Sequence, residues 1–99
     1  MYNTQNMNSY YLTLVLKPEM DEKERKTLLD SLVKQIVGKE GKVKKMDLWG
    51  VRDLTYKIKK DTKGFFAHFE LEADPALVKG LDKQLKTQED ILRFLLVRV

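Results

Sequence analysis

The stretch Trp49-Gly50-Val51-Arg52-Asp53-Leu54-Thr55-Tyr56-Lys57-Ile58 decides the fold. Leu54, Tyr56 and Ile58 alternate with Asp53, Thr55, Lys57 and Lys59, the period-two pattern of a strand with one buried face. Gly50 stands just ahead of that run, where a glycine marks a bulge or bend that re-aims the strand. Lys60-Asp61-Thr62-Lys63-Gly64 follows as a polar turn, and Phe65-Phe66-Ala67-His68-Phe69-Glu70-Leu71 as a second strand. Together they predict one long hairpin, bent on one arm, with mostly positive charge on its turn side.

Upstream, Tyr10-Tyr11-Leu12-Thr13-Leu14-Val15-Leu16 is short, β-prone and apolar on both faces at its end, and Lys17-Pro18 stops it. Asp21 is placed to cap a helix, with Glu24 completing an acidic first turn. Leu28, Leu32 and Ile36 beside Leu29, Val33 and Val37 form one broad apolar stripe, and Gly38 is expected to end the helix as its C′ residue. The hairpin arms are read as Lys42 to Lys59 and Gly64 to Glu72. Downstream, Asp74-Pro75 announces a second helix, with Asp as cap and Pro at its first position. Leu77, Val78, Leu81 and Leu85 are its buried stripe, and it frays near Thr87. Ile91 to Val99 is apolar on both faces apart from two arginines, which reads as an inner strand.

The order strand, helix, strand, strand, helix, strand predicts an α+β, ferredoxin-like βαββαβ domain. Its four-stranded antiparallel sheet carries both helices on one face. The first and last strands are expected in the middle. Ninety-nine residues suit one domain, assigned to residues 10–99. Residues 1–9 are polar, lack the apolar segment of a signal peptide, and are read as a flexible N-terminal extension. The chain has no cysteine, hence no disulfide or thiolate chemistry, and an intracellular setting is the natural expectation. No apolar run is long enough to span a bilayer, so no membrane partner is expected.

Residues that carry chemistry are scarce. His68 is the only histidine, the glycines are too scattered for a phosphate loop, and no triad or acidic cluster stands out. No enzyme activity, cofactor, metal or small-molecule substrate is expected. The net charge of +4 favours an anionic partner, nucleic acid above all. Lys63-Gly64-Phe65-Phe66-Ala67-His68-Phe69-Glu70 begins like the aromatic strand of an RNA recognition module. It departs where stacking aromatics belong: Ala67 and Glu70 occupy those positions. The face left open by the helices should carry Tyr11, Thr13, Val15, Phe66 and His68, plus either Arg93, Leu95 and Val97 or their alternating neighbours. That is too apolar for a solvated face and calls for a partner. Lys57, Lys59, Arg93 and Arg98 at its margins would suit RNA phosphate.

These motifs resemble one family, that of the sixth protein of the bacterial small ribosomal subunit. Tyr10 to Pro18 is similar to its opening strand, with Tyr11 in place of an acid. Trp49, Gly50, Arg52, Leu54, Tyr56 and Ile58 match its hairpin signature, while Thr55 and Lys57 depart from it. Asp90-Ile91-Leu92-Arg93 and the apolar strand that follows are similar to its end. The resemblance covers Tyr10 to Val99. It implies the ferredoxin-like fold, no enzyme activity, and a place in the cytoplasm, in the ribosome. It further implies binding to 16S ribosomal RNA together with the eighteenth small-subunit protein as heterodimer partner. On that basis Trp49, Arg52 and Tyr56, on the bent arm, are candidates for the partner contact. The alternatives are a free-standing RNA-binding module using the open sheet face, and a small-molecule-binding regulatory ferredoxin-like domain.

Overall fold

The structure is a computed structural model, and it describes residues 7–58 and 60–99. The elements run β1 (Asn8–Leu16), α1 (Glu22–Gly38), β2 (Lys42–Ile58), β3 (Asp61–Ala73), α2 (Pro75–Lys86) and β4 (Ile91–Arg98). All pairings are antiparallel, and the strand order is β2-β3-β1-β4. The expected βαββαβ order is therefore what forms. The expected position of the last strand is not: β3 and β1 are central, and β4 lies at an edge. The β1–α1–β2 crossover leaves room for β3 to insert, and β3–α2–β4 carries the chain past β1 to the far side. β4 is apolar on both faces although only one of them, carrying Phe94 and Leu96, packs on the core, and the other, carrying Leu95 and Val97, is exposed.

β1 begins at Asn8, so Asn8 and Ser9 belong to the sheet and not to the extension. Of the rest of that extension, Met7 is described and residues 1–6 lie outside the described residues.

α1 starts as its sequence predicts. Asp21 accepts from the Glu24 amide at 2.8 Å, and the Asp21 amide donates to Glu24 Oε1 at 3.2 Å, a complete capping box. Its end differs. Gly38 stays within the helix, and Glu40 takes the left-handed conformation at φ 68°. Gly41 is the glycine the turn requires. A Cβ there would sit 2.8 Å from Ile36 Cγ2 and 2.9 Å from the Ile36 carbonyl oxygen. α2 is capped by Asp74, whose carboxylate accepts from the Ala76 amide at 2.8 Å, and Pro75 stands at its first turn.

The core lies between the helices and one sheet face. Leu12, Leu14 and Leu16 of β1 meet Ala67, Phe69 and Leu71 of β3, under Leu29, Leu32 and Ile36 of α1 and Leu81 and Leu85 of α2. No polar or charged residue is buried among the described residues, so apolar burial is the main stabilising term. The hairpin outruns this core. β2 and β3 have 17 and 13 residues against 9 and 8 for β1 and β4. This gives the molecule a long axis of 49 Å against 26 and 22 Å.

A candidate protein and RNA interface on the open sheet face

Strand pairing decides which side chains share the face away from the helices. Tyr11, Thr13 and Val15 alternate with the buried leucines of β1, and their partners on β3 are Glu70, His68 and Phe66. On β4 the partners of Tyr11, Thr13 and Val15 are Val97, Leu95 and Arg93. Of the two sets the sequence left open, Arg93, Leu95 and Val97 is thus the exposed one, and Leu95 is 62% exposed. Phe94 and Leu96 pack on the core instead.

β2 joins this face through its bulge. The register shifts between Leu48 and Gly50, and Gly50 takes φ 86°, a conformation that favours glycine. The bulge lays the indole of Trp49 over β3. Its ring stacks on His68 at 5.2 Å between centroids and 10° between planes, and on Phe66 at 6.5 Å and 19°. Tyr11 continues the row, 5.4 Å from His68. His68 Nδ1 is hydrogen-bonded to Thr13 Oγ1 at 3.0 Å, which ties β3 to β1 beneath the aromatic rings. The single histidine is therefore half-buried in an aromatic row, as its isolation on a strand suggested. Phe66 packs on this face rather than serving as a free stacking residue.

A second irregularity shapes the hairpin tip. Asp53 pairs with Lys63 but Ile58 with Asp61, so Leu54 to Lys57 bow out of the ladder. The bowed segment lies over Val15, Phe66 and Arg93, and together they line a small open pocket of about 170 Å³. Val15 is consequently buried although it points away from the main core. Gly64 lies beneath the same segment, where a Cβ would collide with Val15 Cγ1. The alternation of Leu54, Tyr56 and Ile58 therefore does not line the main core. Leu54 and Ile58 are half-buried, and Tyr56 is 57% exposed.

The candidate residues fall into two groups that cut across the expected roles. Arg52 lies over the Trp49 ring at 5.5 Å and Arg93 over the Tyr56 ring at 5.3 Å, both cation–π geometries. Trp49 and Arg52, expected at a protein partner, thus come together near the middle of β2. Tyr56, expected with them, lies instead with Arg93 at the tip. Lys57 lines a shallow surface there with Arg93 and Leu92. Arg98 stands apart. It pairs with Tyr10, a core-side position at the other end of β4, and donates from Nη2 to Asn8 Oδ1 at 3.0 Å. Arg93 and Arg98 therefore occupy opposite faces and opposite ends of their strand. Lys59 lies outside the described residues. Tyr11, Leu95 and Val97 complete the surface. Only the β1–β4 register distinguishes Leu95 and Val97 from Phe94 and Leu96, and that register cannot be read from composition.

The Ribosomal protein S6 family model matches residues 9–98. The chain belongs to the ribosomal protein S6 family. It is 36% identical over 92 residues to small ribosomal subunit protein bS6 of Streptomyces griseus, covering 93% of this chain and 96% of that one. It is 38% identical over 93 residues to the bS6 protein of Acidiphilium cryptum, covering 94% of this chain but 59% of that longer relative. The crystal structure of 30S ribosomal protein S6 from Thermotoga maritima superposes with a TM-score of 0.88, covering 94% of this chain and 88% of that one. At 24% identity that superposition speaks to the fold, which it shares. The S6 relatives are ribosomal proteins of the small subunit and not enzymes. Membership places the chain in the cytoplasm, in the ribosome.

Proposed function

We propose that this S6-family chain is a structural constituent of the small ribosomal subunit that binds 16S ribosomal RNA jointly with the eighteenth small-subunit protein. The observation that carries the proposal is the open sheet face. Tyr11, Trp49, Leu95 and Val97 are large apolar or aromatic side chains left exposed side by side, with Arg52, Arg93 and Lys57 around them. An apolar patch of this kind costs free energy in water and is stabilised by a protein partner. Trp, Tyr and Arg are the residue types that anchor such contacts.

Trp49, Arg52 and Tyr56 are assigned to the partner. Arg93 and Lys57 form the RNA-facing cluster, with Arg98 and Lys59 as further phosphate contacts. Cations on exposed, flexible stems position a protein on RNA backbone without reading sequence. With a net charge of +4 and Arg93 and Arg98 on opposite faces, the isolated chain should bind RNA weakly. The partner would raise affinity by adding contacts and by covering the apolar face. The free-standing RNA-module alternative draws on the same aromatic row, with bases stacking on Tyr11 and Trp49.

Titration with the purified partner tests the assignment. Trp49→Ala with Arg52→Ala should weaken the heterodimer by at least about 2 kcal/mol, the scale of interface hot spots, while the chain stays folded. Unchanged association would remove these residues from the contact. Co-purification of the tagged chain with and without nuclease separates the two readings. A protein partner retained after nuclease supports the heterodimer, and RNA bound with no protein partner supports the free-standing module.

A further inference from the structure

A separate surface lies on the helix side of the sheet, along β2. Among the described residues this strand pairs only with β3, so the backbone groups on its outer side have no partner strand there. Beside that edge runs a groove of about 300 Å³. Leu29 and Phe65 line its floor, Met46 and Leu48 the strand side, and Glu22 and Lys26 the helix side. Met46 and Leu48 pair with Phe69 and Ala67, so they point toward the helices, yet each remains about half exposed. Lys42 and Lys45 pair with Glu72 and Glu70 and point the other way, as does Asp47 opposite His68; a register shift between Val43 and Lys45 leaves Lys44 as an extra residue, so the regular stretch facing the groove is Lys45 to Leu48.

We propose that this edge accepts an extended segment of another polypeptide as a fifth strand, with apolar residues at every second position and carboxylates between them. Each part of that description follows from the edge. Unpaired strand N–H and C=O groups are satisfied in register only by another extended backbone. Strand alternation then sends every second side chain of the guest into the groove, against Met46, Leu48 and Leu29. The intervening side chains emerge on the opposite side, next to Lys42 and Lys45, where opposite charges pair favourably across strands. Lys44 and Lys45 make exposed ion pairs at 3.6 Å, to Glu72 and Asp47, and such pairs exchange partners at little cost. A second copy of this chain is the wrong guest, because edge-to-edge pairing would bring the lysines of both copies together. The inference uses neither the aromatic row of the open face nor RNA, so it stands or falls apart from the function proposed above.

The probe is a blocked peptide of about seven residues alternating glutamate and valine, long enough to pair with β2 from Lys42 to Leu48. It is titrated into the isotope-labelled chain and followed by backbone amide resonances. Shifts should be confined to Lys42 to Leu48 and the Leu29 region of α1, and outer β2 amides should gain protection from hydrogen exchange. Leu48→Asp, a change at an exposed side chain that leaves the core intact, should weaken binding at least about tenfold by placing a charge in the groove. N-methylation of alternate peptide amides should abolish binding. Absence of shifts at millimolar peptide would overturn the proposal. So would shifts centred on Tyr11 and Trp49, equal binding of a lysine–valine peptide, or self-association of the free chain through this edge.

Discussion

Leu32 is 2% exposed and Val37 is 55% exposed, although both belong to the same apolar stripe in the sequence of α1. Deleting three carbons from Leu32 removes buried surface and leaves a cavity in a packed core. Leu32→Ala should therefore lower the unfolding free energy by about 2–5 kcal/mol. Val37→Ala should change it by no more than about 0.5 kcal/mol, as at other surface sites. Denaturant titration of the two variants checks both values, and equal losses would mean that the helix is rotated from the position described. Gly50 makes a different point. Nothing lies within 4 Å of a Cβ built there, so steric room is not the constraint. The constraint is φ 86°, which costs an L-residue about 1–2 kcal/mol. Gly50→Ala should lose that amount, and it should also disturb the stacking of Trp49 on His68. Near-ultraviolet circular dichroism of the single tryptophan reports the second effect.

At the scale of elements, the two helices depend on their caps and the hairpin on its irregularities. The capping box of α1 satisfies two orphan groups of the first turn with one carboxylate pair. Asp21→Ala removes both the acceptor and the charge that complements the helix N-terminus, and should cost about 0.5–2 kcal/mol. Asp21→Asn should recover most of it, since asparagine also caps well. Thermal or chemical unfolding of the pair measures the difference, and equal losses would mean that the charge matters more than the hydrogen bond. The hairpin departs from regular pairing three times, between Val43 and Lys45 and at two places that shape the open face. One delivers Trp49 to the open face, and the other folds Leu54 to Lys57 across the end of β1 toward β4. Straight pairing would carry the tip beyond the sheet and leave Val15 exposed.

For the whole molecule, the cations are divided between places that a salt series can tell apart. If Arg93 and Lys57 each contact phosphate in the complex with partner and RNA, replacing either by alanine should reduce the slope of log affinity against log salt by about 0.7–0.9. Replacing both should reduce it by about twice that, and the change should not depend on RNA sequence. Arg98→Ala, at the other end of β4, should add its own decrement independently, because the two sites share no partners. Parallel slopes for wild type and the Arg93/Lys57 double variant would remove the hairpin tip from the RNA surface.

Much of this architecture is legible in the sequence because it is governed by short-range chemistry. Asp21 with Glu24, Asp74 with Pro75, the leucine spacing of the helices and the alternation of Phe65, Ala67, Phe69 and Leu71 each act within a turn or a strand. The glycine before the long run likewise announced the bulge that sets Trp49. The ribosomal family is legible too, since its hairpin residues lie in one contiguous stretch. Only the tertiary structure decided what depends on pairing between distant strands. The edge position of β4 follows from which gap β3 fills. The exposure of Leu95 and Val97 rather than Phe94 and Leu96 follows from the register of β4 on β1, because a one-residue slip would exchange the two faces. The contact of Tyr56 with Arg93 brings together residues from opposite edges of the sheet, and the free edge and groove at β2 exist only once α1 lies beside it. None of these is encoded in a local pattern, because each is settled by how strands far apart in the chain compete to bury the same apolar surface.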